Sequence, residues 1–568
     1  ALPIWQMRQY TGRTFANGLL RLGPLYIKIG QILSCREELL PDEWNVALEK
    51  LQDSVPAKTG DDALQLALDA YDNDNNNNND DDNGDGIGNG KNKFYHIFSY
   101  FDDVPLAAAS LGQVHRATLR HNNATVAIKL QRSRLRDIYD KDLALMNKLA
   151  KAVDTFTAKV DKLGGKFGRK IKVSGNVGGV KQSWEDIFKD AETILYREID
   201  YRDEAANAKR FASDFGIGLN GEAVECTAKS LDGKVLPSAA PWLRTPYVYD
   251  EFSTEKILVM EYVPSVKISE NDKLRAAGLS LDDREYLAEC LARAYLRQFC
   301  VNKFFSTDPH PGNLGVEIVE NENKQKGSIT KAKTAAATIT PRLVFYDFGQ
   351  ACALKDDQSG GILDVIEGIV DTNVDNCVDA FDRMGVLVNG ADLDKIRSKV
   401  RQNFETGLIK VKSKRQKRGM RGMNSPSKNE SDNVILASSS VIKNGDMNSN
   451  KISSTNNSSS SPIKPDYKTA NNEDINDGEI MSFFTLPAEY AFVARAISQM
   501  DGVGKGLDPD FDFISASAPY LVEIKGGEKY VADEVKKKIL PILKWQNNLQ
   551  KLAGFNPMAK KNDKNKVQ

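Results

Sequence analysis

The sequence predicts a two-lobed α+β fold, with a strand-rich lobe, a helix-rich lobe and a helical extension in front of them. Apolar residues recur at helical spacing within residues 1–60. Apolar runs of strand length follow at 125–129 and 256–263, and another lies at 343–346. Between the last two runs, helical spacing returns from 287 to 299. We therefore expect strands and helices to be segregated, as in α+β proteins.

The composition is that of an ordinary globular protein without a strong electrostatic bias. Of 568 residues, 41% are hydrophobic, and 77 Lys and Arg balance 78 Asp and Glu, so nucleic-acid binding is not expected. The six cysteines form no C-x-x-C pair and there are only four histidines, which argues against a zinc site. The sequence contains no run of 18 apolar residues, so no membrane-spanning helix is predicted. The chain starts at Ala1, which suggests a trimmed product.

Composition changes along the chain suggest seven segments. Two stretches lose apolar residues and are rich in Asn, Asp, Gly or Ser, which is typical of disordered insertions. A basic cluster at 410–421 begins the second, and a solvated linker edge explains it better than lipid or nucleic-acid contact. We expect a helical extension at 1–60, an insertion at 72–93, the strand-rich lobe with a helical insertion at 94–262, the helix-rich lobe at 263–408, a second insertion at 409–480, the return of the helix-rich lobe at 481–556 and a polar tail at 557–568.

The first short motif lies in the N-terminal extension, where Lys28 and Gln31 flank an Ile-Gly pair within a helical pattern. An isolated Lys and Gln on a helix most often belong to its solvated face. The glycine inside the pattern favours close approach to another backbone. The motif alone leaves both interpretations open.

An alanine-rich loop precedes a strand that ends in Lys129. Protein kinases place the pattern G-x-G-x-x-G-x-V before V-A-I-K, so that the loop and the lysine meet the phosphates of the nucleotide. Alanines here replace the first two glycines, which should restrict positive-φ conformers and shift nucleotide preference towards ADP. The candidate nucleotide-binding residues in this region are Ala107, Ala108, Ala109, Ser110, Gly112, Val114 and Lys129.

Carboxylates that could pair with Lys129 lie in a helical stretch further along the chain. Glu198 and Glu204 both belong to this stretch, and either could be the partner that a kinase lysine needs. The buried strand at 256–263 then runs into a linker, where backbone groups of a kinase hinge would meet adenine. These segments add Glu198, Asp200, Glu204, Glu261 and Val263 to the candidate nucleotide-binding residues.

Two polar loops carry the residues for metal and phosphate chemistry. Asp308 and Asn313 begin and end the string Asp-Pro-His-Pro-Gly-Asn, and Asp347 ends an apolar strand before Phe-Gly. Asn and Asp supply the oxygen ligands that Mg²⁺ prefers, and a further Asp can accept a proton or position a nucleophile. Two features depart from protein kinases: Ser-Thr at 306–307 replaces His-Arg, and no A-P-E string follows.

Together these motifs resemble the ABC1/ADCK/UbiB family of atypical kinases. The resemblance covers nearly all of the chain outside the two insertions and the tail. Residues 28–31 are similar to the family's K-x-G-Q motif, 107–110 to its Ala-rich loop, 198–200 to its E-x-D motif and 308–313 to its D-P-H-P-G-N loop.

The resemblance implies a protein-kinase-like fold whose N-terminal helical extension covers the active site. It implies that Lys129 holds the α and β phosphates of ATP or ADP and pairs with Glu204. It further implies that Asn313 and Asp347 ligate Mg²⁺ or Mn²⁺, and that Asp308 is the catalytic aspartate.

The resemblance also assigns the N-terminal motif to the active site. Lys28 and Gln31 would fold over the nucleotide, with Lys28 near Glu198 and Asp200. A lysine buried at a cleft needs a partner carboxylate, because an unpaired buried charge is strongly unfavourable.

The family implies an atypical kinase or ATPase that supports prenylquinone metabolism, of ubiquinone, plastoquinone or tocopherol type, or other isoprenoid lipid metabolism. Segments 193–201 and 507–511 are most similar to the plastid and cyanobacterial branch, which favours a chloroplast plastoglobule or thylakoid over a mitochondrion. Peripheral contact with a membrane or lipid droplet is expected.

Three functions stay open at this point. Phosphoryl transfer to a small lipid-linked molecule and ATP hydrolysis that drives lipid extraction are equal variants of the first. A nucleotide-binding scaffold without catalysis is the second, and the missing His-Arg and the covered cleft favour it. An ordinary protein kinase is disfavoured because the peptide-docking segment is missing.

Overall fold

The computed structural model describes residues 4–34, 42–49, 57–72, 89–108, 111–164, 176–177, 180–181, 189, 192, 195–321, 338–404, 483–484 and 487–527. Contacts group residues 1–388 and 484–568 into one unit and 389–483 into another, whose described part contains a helix at 393–404. The predicted insertion at 409–480, with its basic cluster, and the tail at 557–568 lie outside these ranges.

The described elements of the larger unit are numbered here in chain order. The helices are α1 Ile4–Leu22, α2 Pro24–Ser34, α3 Asp42–Glu49, α4 Asp61–Asp72, α5 Asn89–Ile97, α6 Leu135–Gly164, α7 Tyr201–Phe215, α8 Asn271–Ala276, α9 Leu281–Arg297, α10 Asp356–Val370, α11 Val374–Arg383, α12 Ala488–Leu507, α13 Phe513–Ser517 and α14 Leu521–Lys525. The strands are β1 Phe98–Phe101, β2 Ala107–Ala108, β3 Gly112–Leu119, β4 Thr125–Gln131, β5 Asn176–Val177, β6 Val180–Lys181, β7 Leu243–Arg244, β8 Ile257–Glu261, β9 Val266–Lys267, β10 Phe304–Ser306, β11 Leu314–Asn321, β12 Thr338–Phe345 and β13 Ala351–Ala353.

The N-terminal extension is helical, with α1, α2 and α3 packed on one another through buried Ala16, Leu19 and Leu48. Gly23 separates α1 from α2 with a φ of +118°, a conformation that favours glycine. Pro24 follows at the first position of α2, where its missing N–H costs nothing. Helix α2 also packs on α6, so the extension is attached to the strand-rich lobe.

The strand-rich lobe is a five-stranded antiparallel sheet in the order β1-β3-β4-β8, with β2 paired to β3. Alternate residues of β4 differ in burial: Val126, Ile128 and Leu130 belong to a core with α4 and α5. Lys129 lies between them and therefore faces the opposite side of the sheet, where α7 packs. Helix α5 begins at Asn89, so regular structure starts five residues before the predicted boundary at Phe94.

The helix-rich lobe is built around α9, whose apolar residues recur at helical spacing as predicted. A hairpin of β11 and β12 packs beside it, flanked by β7 and β9 in a four-stranded sheet. Helices α12 and α13 pack on α9, so the segment after residue 487 completes the core of this lobe. The predicted two-lobed, protein-kinase-like α+β fold with an N-terminal helical extension is confirmed. No helix in the described ranges is long and apolar enough to cross a bilayer.

Candidate active site

Two short ladders bring the polar loops of the helix-rich lobe together. Leu314 of β11 lies opposite Phe345 of β12, so Asn313 and Asp347 extend from the same end of this hairpin. The Tyr346 N–H donates to the Asn313 carbonyl at 3.1 Å. Strands β10 and β13 form the second ladder and join the remaining ends of the two loops. The predicted catalytic and metal-binding segments are therefore neighbours because of backbone pairing.

Lys129 bridges two carboxylates in this region. Its Nζ lies 2.7 Å from Glu204 Oε1, 2.8 Å from Glu204 Oε2 and 3.0 Å from Asp347 Oδ2. The ammonium also lies 5.3 Å from the centre of the Tyr201 ring, within the range of a cation–π contact. The Asp347 Oδ1 atom accepts the Gly349 N–H at 2.9 Å, which fixes the carboxylate. Of the two glutamates left open by the sequence, Glu204 is the one that pairs with Lys129.

Burial and charge pairing act in opposite directions on these groups. Burial alone would lower the pKa of Lys129, but Asp347 and Glu204 raise it well above its ordinary value. Burial raises the pKa of Glu204 to about 7 against the opposing effect of Lys129. Burial would also raise the pKa of Asp347, yet Lys129 and the Gly349 N–H together lower it below its ordinary value. Asp347 is therefore the carboxylate of this pair that is most firmly ionised.

Lys28 of α2 reaches the same cleft. Its Nζ lies 2.8 Å from Glu198 Oε2, and both side chains are buried. Burial raises the pKa of Glu198, while Lys28 opposes the shift; Lys28 also helps to lower the pKa of Asp347. The extension therefore covers the cleft through a buried ion pair. The backbone of Gln31 belongs to α2, and its side chain lies outside the described part of the structure.

Asp200 differs from its implied role beside Lys28. Its carboxylate caps the N-terminus of α7, accepting the Arg202 N–H at 3.0 Å, and its Oδ2 lies 2.7 Å from Arg202 Nη2. Burial alone would raise the pKa of Asp200, but these contacts with Arg202 lower it below its ordinary value. An Asp just before a helix is a common N-cap, and this interpretation was available from the sequence.

Asp308 pairs with an arginine that sequence reasoning missed. Arg495 Nη2 of α12 lies 3.2 Å from Asp308 Oδ1, and both side chains are largely buried. Arg495 Nη1 also lies 3.5 Å from Gln350 Oε1. Asn313 Nδ2 donates to the Asp308 backbone carbonyl at 3.1 Å, which tightens the loop. The available signal was an arginine among the buried, helically spaced apolar residues of α12.

The alanine-rich loop is described at Ala107 and Ala108, which form β2 and pair with Val114 and Gln113 of β3. Ala109 and Ser110 lie outside the described residues. A Cβ atom at Gly112 would lie 2.3 Å from the Leu130 carbonyl oxygen and 2.4 Å from the Tyr201 hydroxyl. Gly112 is therefore required by the close approach of the loop to β4 and α7.

The predicted hinge has a structural ion pair at its centre. The Glu261 carboxylate pairs with the buried guanidinium of Arg244, and its backbone N–H donates to the Tyr247 carbonyl at 2.8 Å. The Val263 carbonyl accepts the Ser265 hydroxyl at 3.2 Å. The Glu261 side chain is thus used to hold the hinge rather than presented to the cleft.

A metal at this site would need ligands beyond the protein. In the part of the chain that the structure describes, no group of three or more His, Cys, Asp or Glu could hold an ion. The two metal ligands predicted from the sequence are one carboxylate, Asp347, and one amide oxygen, Asn313. Such a sparse oxygen set is typical of Mg²⁺ bound together with phosphate oxygens and water.

Comparisons with known proteins identify relatives that match most of this chain. ACTIVITY OF BC1 COMPLEX KINASE 8, chloroplastic, of Arabidopsis thaliana is 30% identical over 535 residues, which cover 94% of this chain and 57% of that protein. An uncharacterized Synechocystis protein is 29% identical over 521 residues, covering 92% of this chain and 66% of that protein. A probable protein kinase UbiB of Shewanella is 30% identical over 324 residues, covering 56% and 48%. The chain thus spans between about half and two thirds of these relatives.

Among solved structures, the complex of Rv3197 with erythromycin from Mycobacterium tuberculosis has a TM-score of 0.42 and 19% identity, covering 88% of this chain and 92% of that one. The family model of the ABC1 atypical kinase-like domain matches residues 88–381, which are more than half of the chain. This chain belongs to the ABC1 atypical kinase-like family.

Proposed function

We propose that this chain binds ATP or ADP with Mg²⁺ or Mn²⁺ and acts as a phosphotransferase or ATPase. The observation that carries the proposal is the position of Lys129 between Glu204 and Asp347, at 2.7 and 3.0 Å. Kinases use a Lys–Glu pair of this kind to hold nucleotide phosphates and an Asp of this kind to hold the metal. The Lys129–Glu204 pair holds the ammonium beside Asp347, where phosphate oxygens would meet it.

The residues present fit a metal ion, which would be held by Asp347 and Asn313. When bound, the ion would neutralise phosphate charge and orient the phosphates. Asp347 Oδ2 lies 3.0 Å from Lys129 Nζ, so this carboxylate would hold the ion beside the ammonium. Glu204 contacts the same ammonium through both of its oxygens and would orient it towards phosphate oxygens.

Asp308 is proposed as the residue that receives or positions the nucleophile. Its carboxylate lies 3.2 Å from Arg495, which holds it in one orientation. Lys28 would exclude bulky acceptors from the cleft through its pair with Glu198. These contacts support a small acceptor or water rather than a peptide.

The substrate class follows from the family and stays a proposal. We infer a role in prenylquinone or other isoprenoid lipid metabolism, in which the nucleotide is used for phosphoryl transfer or for lipid extraction. The relatives named chloroplastic support a chloroplast location, with plastoglobule or thylakoid as the finer expectation.

A scaffold that binds nucleotide without turnover is the second candidate. The observation that favours it is the Lys28–Glu198 pair, because it covers the cleft at which acceptors would enter. The complete set of Lys129, Asp308, Asn313 and Asp347 counts against it.

The test is nucleotide hydrolysis by the purified chain with Mg²⁺, with and without liposomes that contain a prenylquinone head-group mimic. The Asp347→Asn variant serves as the blank. Turnover that rises with the lipid and disappears in the variant would support a lipid-coupled kinase or ATPase. Nucleotide binding without turnover under every condition would reject catalysis and favour the scaffold.

A further inference from the structure

Gln113 of β3 is a buried polar residue beside the alanine-rich loop. Only 2% of its surface is exposed. Its backbone pairs with Ala108 of β2 on one side and with Leu130 of β4 on the other. The next residue, Val114, lies opposite Lys129, so these two share one face of the sheet and Gln113 points to the other face. Gln113 therefore lies next to the loop without facing the cleft.

The Gln113 side chain makes a two-point contact with the backbone of Lys58. The Lys58 N–H donates to Gln113 Oε1 at 2.9 Å, and Gln113 Nε2 donates to the Lys58 carbonyl at 2.9 Å. An amide that pairs in this way imitates one step of a β-ladder. In the chain, residues 57–60 lie between α3 of the N-terminal extension and α4. One side chain thus joins the strand beside the alanine-rich loop to the segment that follows the extension.

His115 completes the hydrogen bonding of the Gln113 amide. Because Nε2 donates one hydrogen to Lys58, its second hydrogen is left for His115 Nε2, which lies 2.6 Å away and accepts it. The other ring nitrogen, Nδ1, then carries the proton and donates to the Asp102 carbonyl at 2.7 Å. Asp102 lies between β1 and β2. Donors and acceptors therefore match along the whole series from Lys58 to Asp102.

A purely packing role would not require a polar side chain at this position. Ile128 and Leu130 of β4 lie on the same face of the sheet and are fully buried in the core with α4. Burying an amide in such a core costs free energy that its hydrogen bonds must offset. A leucine would fill a similar volume without this cost. The contacts of Gln113, rather than its volume, are what distinguish this position.

We propose that Gln113 is a positioning residue that couples residues 57–60 to the alanine-rich loop. Its contact with Lys58 holds β3 where β2 pairs with it, so the loop is ordered at a lower cost when nucleotide binds. Coupling free energies are reciprocal, so a nucleotide under the loop also stabilises the contact with Lys58. The inference rests on the proposed nucleotide site and adds a residue that acts on it from the far side of the sheet.

The first measurement is hydrogen exchange of the Lys58 amide in the full chain, with and without ADP and Mg²⁺, followed in peptides that cover residues 57–60. This N–H donates to Gln113, so its exchange rate reports on the contact. We expect ADP to slow the exchange roughly fivefold or more in the unaltered chain. In Gln113→Leu the amide should exchange faster, and ADP should leave its rate unchanged. A merely structural role would not produce this response to nucleotide.

The second measurement is the affinity for ADP by calorimetry, together with kcat and KM for ATP. Gln113→Leu should weaken ADP binding roughly 5- to 30-fold. KM should rise while kcat changes little, because Gln113 faces away from the cleft. Tyr71→Phe is the control, since it removes a hydrogen bond from α4 to the Phe252 carbonyl in the same lobe. This control should bind ADP as the unaltered chain does.

Lys58→Pro tests the same contact without changing the buried core, because Lys58 is exposed and proline lacks the N–H that Gln113 accepts. Lys58→Ala is its reference, since both variants lose the side chain and only the proline variant loses the N–H. The proline variant should bind ADP roughly 5- to 30-fold more weakly than the alanine variant. This comparison keeps the proposal testable if Gln113→Leu does not fold.

Three results would overturn the coupling and leave the nucleotide site in place. These are an unchanged ADP affinity in Gln113→Leu, equal ADP affinities of the two Lys58 variants, and an exchange rate at Lys58 that bound ADP does not change. An unaltered chain that binds no nucleotide would reject the proposed function and the coupling with it. Calorimetry of the unaltered chain therefore separates the two kinds of failure.

Discussion

The charged side chains at the cleft are arranged so that Lys129 is shared between two acids with different tasks. Glu204 contacts it through both carboxylate oxygens, whereas Asp347 contacts it through one. We expect the two-point contact with Glu204 to persist when nucleotide binds. The single contact with Asp347 leaves lone pairs on its carboxylate that could hold a metal ion.

Asp347→Asn is predicted to abolish Mg²⁺-dependent nucleotide turnover, with a loss of at least about 100-fold. The amide keeps the shape and can still accept the Gly349 N–H, so the melting temperature should change little. Steady-state hydrolysis and thermal unfolding of the same preparation check both statements. Asp272→Asn, at a fully exposed side chain, is the control. Full activity with a normal melting temperature in Asp347→Asn would reject the site assignment.

Arg495→Gln is predicted to lower kcat by about 10- to 100-fold with little change in KM for the nucleotide. The variant removes a charged hydrogen bond to Asp308, of a kind that contributes about 1.5–3 kcal/mol. Arg495→Lys should recover part of the rate, because it keeps the charge but loses the planar guanidinium. Arg383→Gln, at an exposed surface pair, is the control. A wild-type kcat in Arg495→Gln would show that Arg495 does not position Asp308.

The start of α7 explains how one short stretch supplies three acids with three roles. Glu204 lies on the buried face of α7, in register with Ala208, Phe211 and Phe215 at helical spacing. Asp200 is the N-cap of the helix and therefore points to its first turn. Glu198 precedes the cap and faces α2. The helix boundary thus separates the carboxylate for Lys129 from the one for Lys28.

Lys28→Ala is predicted to loosen the cover and to destabilise the fold by about 3 kcal/mol, because it leaves buried Glu198 without its cation. The double variant Lys28→Ala with Glu198→Gln should recover part of that loss. Urea unfolding of the single and double variants measures the coupling. Nucleotide preference and turnover of Lys28→Ala report on access to the cleft. Unchanged nucleotide preference and unchanged turnover in Lys28→Ala would contradict a covering role for Lys28.

His115 of β3 gives the strand-rich lobe a predicted dependence on pH. The imidazole is fully buried, receives an N–H of Gln113 at Nε2 and contacts the Asp102 carbonyl through Nδ1. Burial lowers the pKa of His115 below its ordinary value of about 6.5, despite the Asp102 carbonyl. Between the lowered pKa of the folded chain and the ordinary value of about 6.5, the unfolded chain binds more protons. The contribution of His115 to folding stability is therefore fully present above about pH 6.5 and is lost as the pH falls below that value.

The measurement is the melting temperature at about pH 7.5 and about pH 5.5 for the unaltered chain and for His115→Gln. The unaltered chain should lose more stability on acidification, by up to about 1.4 kcal/mol for each pH unit within the window. Other groups titrate in both proteins, so the comparison isolates His115. Equal losses in the two proteins would show that His115 makes no such contribution.

Ion pairs in the helix-rich lobe join residues that lie far apart in the chain. Glu523 of α14 pairs with Arg293 at 2.8 Å and with Arg297 at 3.4 Å, both on α9. Arg297 is fully buried and also donates to the Pro237 carbonyl at 3.2 Å. The same return of the chain places Arg495 at Asp308. Residues after 487 therefore contribute both to the core of this lobe and to the candidate active site.

Glu523→Gln is predicted to destabilise the chain by about 3 kcal/mol, because it leaves the buried Arg297 guanidinium without its anion. The exposed pair of Asp364 with Arg383 provides the matched control, and Asp364→Asn should cost less than about 1 kcal/mol. Chemical denaturation of the two variants compares these values. Similar stability losses would mean that burial does not determine the strength of the pair at α14.

The lobes, the order of the motifs and four of the site residues were predictable because each depends on a short stretch of chain. Lys129 lies within strand β4, Asp347 follows strand β12 by two residues, and Asp308 and Asn313 share a six-residue loop. Strand pairing then brings these loops together, because the strands have few alternative registers. The hairpin of β11 and β12 illustrates this, since its register alone aligns the two metal-ligand candidates.

Other features had no local signal. The choice of Glu204 over Glu198 for Lys129 depends on where α7 begins, and the engagement of Glu261 by Arg244 depends on how β7 packs beside the hinge. Arg495 lies 187 residues from Asp308, beyond the predicted insertion at 409–480, and no pattern near either residue links them.

Hydrophobic periodicity and short motifs were enough to identify the family fold and to predict a phosphate-binding lysine and two metal ligands, because backbone pairing and helix spacing act between near neighbours. The partners of the buried charges required the folded chain. A charge is stabilised by whichever opposite charge is removed from water with it, and packing between distant segments determines which groups are buried together.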